Sequence, residues 1–278
     1  MDQAPILTIT LNPALDISTS AARVVPDVKL RCEAPSFDPG GGGINVSRAI
    51  RNMGGHSTAL VALGGTTGQR MAAMLEATGI PVLSLPAPGE TRQSLTADDR
   101  ATRQQYRFVM PGPEWSADDV ARALELATEM APGDGLVVLS GSNPPGVPAS
   151  FGAMLAGRLQ GQGTRLIVDT SGEALATVAA ARDRRVEILR MDDEEAEGLA
   201  GAPLPYRADT AAFAASLVAS GAARGVIVAR GRDGNIIATD EGIWHAEAAR
   251  VPIVSKVGAG DSFLAGFTLA YARGWPVA

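Results

Sequence analysis

The sequence predicts a three-layer α/β protein built on a mostly parallel sheet, with a small second sheet. Short apolar runs, such as residues 58–63, alternate with stretches of helical spacing, such as residues 69–77. This alternation is typical of parallel sheets covered by helices. Residues 91–110 break the alternation with two strand-like runs and no helix between them. The chain has 278 residues, of which 46% are hydrophobic, so it can bury a sizeable core.

The composition excludes several classes of protein. The formal net charge is −6 and the basic residues are not clustered, which argues against nucleic-acid binding. Cys32 is the only cysteine, so no internal disulfide can form and we expect a cytoplasmic protein. The first five residues lack the pattern of a signal peptide, and no apolar run is long enough to span a bilayer. Because His56 and His245 are the only histidines, we expect carboxylates to carry any acid–base chemistry.

The first strand is predicted at residues 6–11, and a polar turn with the sequence NPALD follows at residues 12–16. Ligand contacts in α/β folds lie beyond the carboxyl ends of the strands. Asp16 is therefore a candidate ligand contact, since a carboxylate accepts several hydrogen bonds at once. A plain turn residue is the alternative for Asp16 at this stage.

Four glycines at residues 40–43 lead into a predicted helix with apolar Ile44, Val46 and Ile50. Successive glycines cost chain entropy, so we predict that something approaches the bare backbone closely at this point. The segment is not a Walker-type phosphate loop, because no Gly-Lys-Ser/Thr ends it. A flexible turn is the alternative.

Residues 91–95 and 104–110 are predicted strands joined by a polar connection at residues 97–102. Together with residues 16–37, where 29–37 resemble a half-exposed strand, they could form the small separate sheet. Arg92 is the notable residue in it. An arginine on a strand is usually just solvated, but its planar guanidinium also suits two oxygens of a phosphate.

Polar residues follow three further predicted strands, at residues 135–139, 166–169 and 186–189. Ser140 ends the first strand and is either a substrate contact or a turn residue. Asp169 ends the second, and the alternative to a functional role for it is a helix-capping turn. The third runs into four consecutive acidic residues, 192–195. Such a run could hold a divalent cation. It could equally be an acidic first helical turn, which the helix dipole favours.

The strongest chemical signal lies near the C-terminal end. An apolar run at residues 251–254 leads into Gly258, Gly260 and Asp261, and residues 263–271 then have helical spacing. Free N–H groups at a helix start attract anions, and glycines let a phosphate approach the backbone. An aspartate beside a bound phosphate can accept the proton of an attacking hydroxyl. The alternative is that Asp261 only caps the helix.

The stretch VGAGDSF at residues 257–263 resembles the C-terminal signature of the ribokinase-like sugar kinases, the phosphofructokinase B family. The resemblance covers nearly the whole chain: NPALD at residues 12–16 and GGGGIN at residues 40–45 resemble the family's sugar-binding motifs, and YRFVMPG at residues 106–112 resembles the minor-type 6-phosphofructokinase branch. It implies one ribokinase-like domain over residues 1–278. The strands of its small sheet, the lid, would come from about residues 16–38 and 91–110.

The resemblance also implies a reaction and a set of site residues. ATP with Mg2+ would phosphorylate the C1 hydroxyl of fructose 6-phosphate, a step of glycolysis, in a homodimer joined through the lid. The implied roles are Asp261 as catalytic base; Gly258, Ala259 and Gly260 as anion hole; Asp16, Gly40, Gly41, Asn45, Arg92, Lys29 and Ser140 for the sugar phosphate; Asp192, Arg230, Gly231 and Gly234 for the nucleotide; and Glu195 and Asp169 for the metal.

The chain departs from the family pattern on the nucleotide side. RMD at residues 190–192 replaces Lys-Pro-Asn, Ala229 replaces a hydroxyl residue, and Lys256 replaces Thr. Lys256 could bind phosphate or extend to water. The sequence also stops one helix after Asp261, where family members continue, so we expect lower nucleotide affinity, lower stability or both.

Other functions remain open at this stage. The chain could act on fructose 1-phosphate, on tagatose 6-phosphate or on an unphosphorylated sugar. It could also be a non-catalytic sugar-phosphate binder with an impaired nucleotide site. A nicotinamide-dependent dehydrogenase fits poorly, because Phe263 stands where the third glycine of that fingerprint would be and the motif does not open a βαβ unit.

Overall fold

The structure is a computed structural model that describes residues 3–251 and 258–277. Within them, the strands are β1 Ile6–Thr10, β2 Ala14–Ala21, β3 Ser36–Gly40, β4 Thr58–Leu63, β5 Val82–Pro86, β6 Arg92–Asp99, β7 Gln104–Val109, β8 Leu136–Ser140, β9 Arg165–Asp169, β10 Val186–Asp192, β11 Ala223–Ala229, β12 Asn235–Thr239 and β13 Gly242–Ala246. The helices are α1 Gly42–Asn52, α2 Gly65–Ala77, α3 Ala117–Glu129, α4 Phe151–Leu159, α5 Gly172–Ala180, α6 Asp193–Ala200, α7 Arg207–Ala219 and α8 Ala259–Ala272.

The large sheet has nine strands in the order β13-β12-β11-β10-β9-β8-β1-β4-β5. Strands β4, β5 and β8 to β11 all run parallel to β1. Only the β11–β12 and β12–β13 pairs of this sheet are antiparallel. All five residues of β1 and all five of β8 are buried, because helices cover both faces of a parallel sheet. The predicted fold class is confirmed.

Helices cover the two faces of the large sheet in separate layers. On one face, α1 and α8 pack Val46, Ile50, Leu264 and Leu269 against the strands. On the other face, α3, α4, α5 and α7 supply the apolar layer, with the fully buried Phe151 among its residues. Burying one such large side chain stabilises the fold by about 1.5–3 kcal/mol, so these layers hold the strand ends that carry the polar residues in fixed positions.

The small sheet, which we call the lid, has the order β3-β2-β6-β7. Strands β2 and β6 are parallel, while β2–β3 and β6–β7 are antiparallel. The predicted strand at residues 29–37 is wrong over most of its length: β3 begins only at Ser36, and an isolated bridge joins Ala21 to Cys32. Pro26 and Pro35 lie in this region, and proline lacks the N–H group that a strand ladder needs.

Two boundaries of the lid strands also differ from the prediction. Residues 14–21 form the strand β2, and β6 continues to Asp99 through the predicted connection. The buried carboxylate of Asp99 accepts hydrogen bonds from the backbone N–H groups of Val24, Ala101 and Thr102. These bonds place the turn between β6 and β7 after Asp99.

Some helices differ from the prediction. Helices α4 and α7 were not among the predicted elements, and α2 begins at Gly65 rather than at residue 69. Lys256 and most of the apolar run 251–254 lie outside the described residues. Among the helices of the described residues, none combines the length and the hydropathy needed to cross a bilayer. The cytoplasmic location and the single-domain assignment over residues 1–278 stay predictions.

Candidate active site

The residues that follow β1, β8, β9 and β10 meet at one edge of the large sheet, because parallel strands end on the same side. Those that follow β8, β9 and β10 line a cleft of about 230 Å³. Its lining includes Gly42, Ser140, Asp169, Thr170, Glu195 and Asp261. The fold therefore brings the four-glycine segment, two strand-end residues, the acidic run and the start of α8 into one space.

Asp261 lies at the start of α8 without capping it. The N-cap residue is Gly258, in the left-handed conformation with φ 76°, and Asp261 is the third residue of the helix. Its Oδ2 accepts a hydrogen bond of 2.9 Å from Asn45 Nδ2 on α1. Burial raises the pKa of the Asp261 carboxyl, against the opposing effect of the Asn45 amide. A carboxylate with a raised pKa is a stronger proton acceptor.

The four glycines allow close contact between protein segments. A Cβ built on Gly42 would stand 2.2 Å from Ser140 Oγ, and one built on Gly40 would stand 2.1 Å from Asp16 Oδ2. A Cβ on Gly43 would collide with the Thr10 side chain at 2.6 Å. Larger residues would therefore push α1 away from the ends of β1 and β8, and Asn45 away from Asp261.

Asp16 and Arg92 lie on neighbouring lid strands. Arg92 of β6 pairs with Ala14 of β2, two residues before Asp16. On the other side of β2, Asp16 pairs with Asp38 of β3. Burial raises the pKa of Asp16, Asp38 adds to this, and Arg92 opposes it. The Nε and Nη2 atoms of Arg92 both donate to the Asn12 carbonyl oxygen at 3.2 Å. The two side chains are half-buried, and their opposite charges attract one another.

Asp169 is held by two protein partners. Its Oδ1 accepts from Arg190 Nη1 at 3.1 Å, and its Oδ2 accepts from Ser140 Oγ at 3.2 Å. The Asp169 and Arg190 side chains are only 11% and 13% exposed. The alternative that Asp169 is a helix cap is not seen, since Ser171 holds the N-cap position of α5. Because both of its oxygens are engaged, Asp169 is a weaker metal candidate than the sequence predicts.

Arg190 was not among the predicted site residues. A Cβ built on Gly260 would stand 2.9 Å from Arg190 Nη2, so the guanidinium lies directly against the start of α8. Its Nε is buried and has no hydrogen-bond partner within the described residues. The only sequence signal for this residue was the replacement of the family's lysine at the end of β10.

Asp192 and Glu195 form a capping box at the start of α6. Asp192 Oδ1 accepts from the Glu195 backbone N–H at 2.9 Å, and Glu195 Oε2 accepts from the Asp192 N–H at 2.8 Å. Burial raises the pKa of Glu195. The acidic helical turn weighed in the sequence analysis is thus present. Glu195 still lines the cleft, so a metal role for it stays a prediction.

The carboxylates of the cleft suit a divalent ion that keeps other ligands besides the protein. Among the described residues, no three acidic, histidine or cysteine side chains are close enough to hold an ion alone. Mg2+ usually binds one or two carboxylates and keeps waters and substrate phosphates as its other ligands. Glu195, with one oxygen bonded to Asp192 and the other not, fits this pattern.

The loop after β11 has a structural role that the sequence did not predict. Arg230 donates from Nε to Asp233, from Nη1 to Leu204 O and Thr210 Oγ1, and from Nη2 to Pro205 O. Its bonds to Leu204 and Pro205 join this loop to the α6–α7 connection, and its bond to Thr210 joins the loop to α7. Gly231 and Gly234 have positive φ angles of 54° and 92° and flank a single 3₁₀ turn.

Lys29, which was predicted to contact the sugar phosphate, lies in the exposed segment between β2 and β3. It is not among the residues that line the cleft.

Comparisons with known proteins identify the family of the chain. The family model described as pfkB family carbohydrate kinase matches residues 8–278. The chain is 39% identical to the ATP-dependent 6-phosphofructokinase isozyme 2 of Mycobacterium tuberculosis over 270 residues, which cover 97% of this chain and 78% of that one. It is 30% identical to the 1-phosphofructokinase of Bacillus subtilis, over 98% of this chain and 87% of that one. The Escherichia coli phosphofructokinase-2 solved with fructose-6-phosphate superposes with a TM-score of 0.90, at 38% identity over 99% and 89% of the two chains.

Proposed function

Because the chain belongs to the family of pfkB carbohydrate kinases, we propose that it uses ATP to phosphorylate the C1 hydroxyl of fructose 6-phosphate, giving fructose 1,6-bisphosphate. One observation carries the proposal: the carboxylate of Asp261 lies at the start of α8, 2.9 Å from Asn45 of the glycine-rich segment. This contact supports Asp261 as the proton acceptor, because its carboxylate lies between a helix N-terminus and the segment that would hold a sugar. The names of the relatives support the substrate.

In the proposed reaction, the sugar C1 oxygen bonds to the terminal phosphorus of ATP while the bond between that phosphorus and the bridging oxygen breaks. The hydroxyl proton passes to Asp261. A carboxylate is an adequate base because the transition state of phosphoryl transfer is loose. The raised pKa that burial gives Asp261 brings it closer to the pKa of a useful base at neutral pH.

The start of α8 supports the proposed stabilisation of charge on the transferred group. The N–H groups of Gly258, Ala259 and Gly260 have no carbonyl partner earlier in the helix, so they and the helix dipole favour an anion. We add Arg190 to this group, since its guanidinium packs against Gly260 and its buried Nε–H has no protein acceptor among the described residues. A phosphate oxygen would satisfy such a donor.

The lid and the glycine-rich segment would hold the sugar phosphate. Asp16 is a suitable acceptor for sugar hydroxyls, with the backbone of Gly40 and Gly41 beside it. Arg92 would bind the phosphate, and in the described residues its remaining two N–H groups have no protein acceptor. We keep Asn45, Ser140 and Lys29 as further candidate contacts; Ser140 lines the cleft.

The nucleotide would lie across the ends of β10 and β11, near Asp192, Gly231 and Gly234. Mg2+ bound with it would neutralise negative charge on the phosphates, and Glu195 is our candidate residue for holding the ion. Asp169 is assigned instead to holding Arg190 in position. Glu195 lines the cleft, whereas the roles of Asp192, Gly231 and Gly234 rest on the family motif.

The direct test is Asp261→Asn, which keeps the size of the side chain and removes the base. We expect the turnover number with fructose 6-phosphate and MgATP to fall roughly 10²–10⁴-fold, the usual contribution of general acid–base catalysis. Asp118→Asn, at an exposed carboxylate on α3, is the matched control and should leave turnover unchanged. A near wild-type turnover for Asp261→Asn would overturn the proposed role.

The substrate is tested by a panel of fructose 6-phosphate, fructose 1-phosphate, tagatose 6-phosphate and fructose. We expect the highest kcat/KM with fructose 6-phosphate, and phosphorus NMR should locate the new phosphate on C1. A higher value with fructose 1-phosphate would instead favour the activity named for the Bacillus subtilis relative. Calorimetry with MgATP alone tests the non-catalytic binder, which would show no heat of nucleotide binding.

We further propose that two copies associate through the lid. The lid exposes apolar side chains along β7 and in the β2–β3 connection: Phe108 is 54% exposed, Val109 63% and Val28 58%. Contiguous exposed apolar surface is typical of an interaction site. Light scattering should show a dimer for the wild type and a monomer for Phe108→Ser; a monomeric wild type would contradict the proposal.

A further inference from the structure

We propose that Glu90 is a positioning residue for Arg92: it ties the start of lid strand β6 to the N-terminus of α2, so that the Arg92 guanidinium is held ready for the phosphate of the sugar. The inference rests on the proposed function, because it assumes that Arg92 binds a substrate phosphate. Glu90 itself is exposed, and nothing places it in contact with the substrate.

The Glu90 carboxylate covers the first turn of α2. Its Oε1 accepts from the Thr67 backbone N–H at 2.5 Å and from Thr66 Oγ1 at 3.1 Å, and its Oε2 accepts from the Thr66 N–H at 3.2 Å. These N–H groups belong to the helix start, where they have no partner within the helix. A negative charge there is also favoured by the helix dipole.

The shape of the α2 N-terminus fits this carboxylate closely. A Cβ built on Gly65 would stand 1.8 Å from Glu90 Oε2. Gly65 also has a positive φ of 64°, which side-chain-bearing residues rarely adopt. The glycine therefore serves the contact in two ways: it makes the left-handed entry to the helix and it leaves room for the carboxylate.

Both neighbours of Arg92 are tied to the same helix start. The Thr91 N–H donates to Gly64 O at 2.9 Å, and Thr91 Oγ1 accepts from the Gly64 N–H at 2.9 Å. On the other side, Gln93 Nε2 donates to Thr67 Oγ1 at 3.3 Å. Residues 90, 91 and 93 are thus hydrogen-bonded to the segment 64–67, and Arg92 lies between these bonded residues.

These contacts attach Arg92 to the large-sheet body, although it is the first residue of a lid strand. Helix α2 packs its Met71 and Leu75 against Val61 of β4. The Arg92 guanidinium donates to Asn12, which closely follows β1. Arg92 is therefore fixed at its backbone by α2 and at its side chain by the end of β1. Holding a binding group in place before the ligand arrives lowers the cost of binding.

Glu90→Gln tests this role because it keeps the length of the side chain and replaces an acceptor oxygen with a donor. We expect the KM for fructose 6-phosphate to rise roughly 10-fold, since a displacement of the order of 1 Å in a positioned group can cost up to about 10²-fold. The KM for MgATP and the kcat at saturating sugar phosphate should stay within about twofold, because the contacts at α8 and Asp261 are unchanged.

The matched control is Glu76→Gln, at an exposed carboxylate on the same helix, which should leave every kinetic constant unchanged. Thr66→Val is the second variant: it removes one donor to Glu90 at an exposed position and should raise the same KM by a smaller factor. If Glu90→Gln lowers the thermal midpoint too far for assay, Thr66→Val still decides the question.

The outcomes separate this inference from the proposed function. A wild type without activity on fructose 6-phosphate would defeat the proposed function. An active wild type with unchanged KM values in Glu90→Gln and Thr66→Val would defeat the role of Glu90 alone. Equal losses for sugar phosphate and MgATP would show a general structural effect and would also overturn it.

Discussion

The sugar side of the cleft, formed by the lid and α1, differs from the nucleotide side at the ends of β10 and β11 in how its charged residues are used. Arg92 on the sugar side donates to two backbone carbonyl oxygens, those of Asn12 and Met110. Arg230 on the nucleotide side donates to four different residues. Asp192 and Glu195 likewise bond to one another's backbone.

This difference shows that a motif position does not tell whether a charged side chain is available to a ligand. The sequence placed Arg92 and Arg230 equally among the binding residues. Their protein contacts separate them: within the described residues Arg92 keeps two N–H groups without a protein acceptor and Arg230 keeps one. Arg230 must therefore break bonds to the protein before it can bind a phosphate through two N–H groups. Single substitutions on each side of the cleft test this difference.

Arg92→Ala should weaken the binding of the sugar phosphate. We expect the KM for fructose 6-phosphate to rise roughly 10–100-fold, since hydrogen bonds to charged groups contribute about 1.5–3 kcal/mol. The KM for MgATP should stay within about twofold. Steady-state kinetics with each substrate varied in turn measures both. Equal increases in the KM for fructose 6-phosphate and the KM for MgATP would mean that Arg92 does not act specifically on the sugar phosphate.

Arg230→Ala should instead lower stability. Loss of its bonds to Leu204, Pro205 and Thr210 should reduce the free energy of unfolding by roughly 1.5–3 kcal/mol, measured by urea denaturation. The KM for MgATP should change by less than about threefold. A large increase in that KM at unchanged stability would return Arg230 to the nucleotide-binding role that its motif predicts.

The raised pKa of Asp261 predicts an effect of pH on stability. Burial favours the protonated carboxyl in the folded state, so the folded protein binds more protons than the unfolded one between the ordinary aspartate pKa of 3.8 and the raised value. Stability due to this group is therefore lost as pH rises through that window. Asp261→Asn should be more stable than the wild type at pH 7, and the difference should shrink towards pH 4. A difference that is the same at both values would contradict the raised pKa.

Asp192→Asn should change the kinetic constants least, and it tests the negative charge on the nucleotide side. Asparagine caps a helix as well as aspartate does, so α6 should keep its start, while one negative charge near the nucleotide phosphates is removed. We expect the KM for MgATP to fall by about two- to threefold. Asp192→Ala, which loses the cap, should cost about 1 kcal/mol of stability and serves as the control. An unchanged KM in Asp192→Asn would place this charge outside the nucleotide site.

The parts of the fold that follow from local patterns were predictable. The alternation of apolar strands and helical stretches predicts the parallel sheet, and β4 at Thr58–Leu63 matches its predicted bounds. The lid was harder to predict. Strand β2 contains Asp16, Ser18, Thr19 and Ser20, and only its pairing with β3 and β6 makes such a polar stretch a strand. Strand preference depends on these neighbours, which lie far away in sequence.

By itself, the sequence determined the identity of the chemical groups at the strand and helix ends: the glycines, Asp16, Asn45, Arg92 and Asp261. Their order along the chain was enough to indicate a phosphoryl-transfer site of this family. Only the tertiary structure decided which of these groups meet and which are already bonded. It placed Asn45 on Asp261 across 216 residues, brought Arg190 against Gly260 and engaged Arg230 with the α6–α7 connection. The physical reason is that a side chain's partners depend on the packing of α1, α8 and the strand ends, which no local pattern contains.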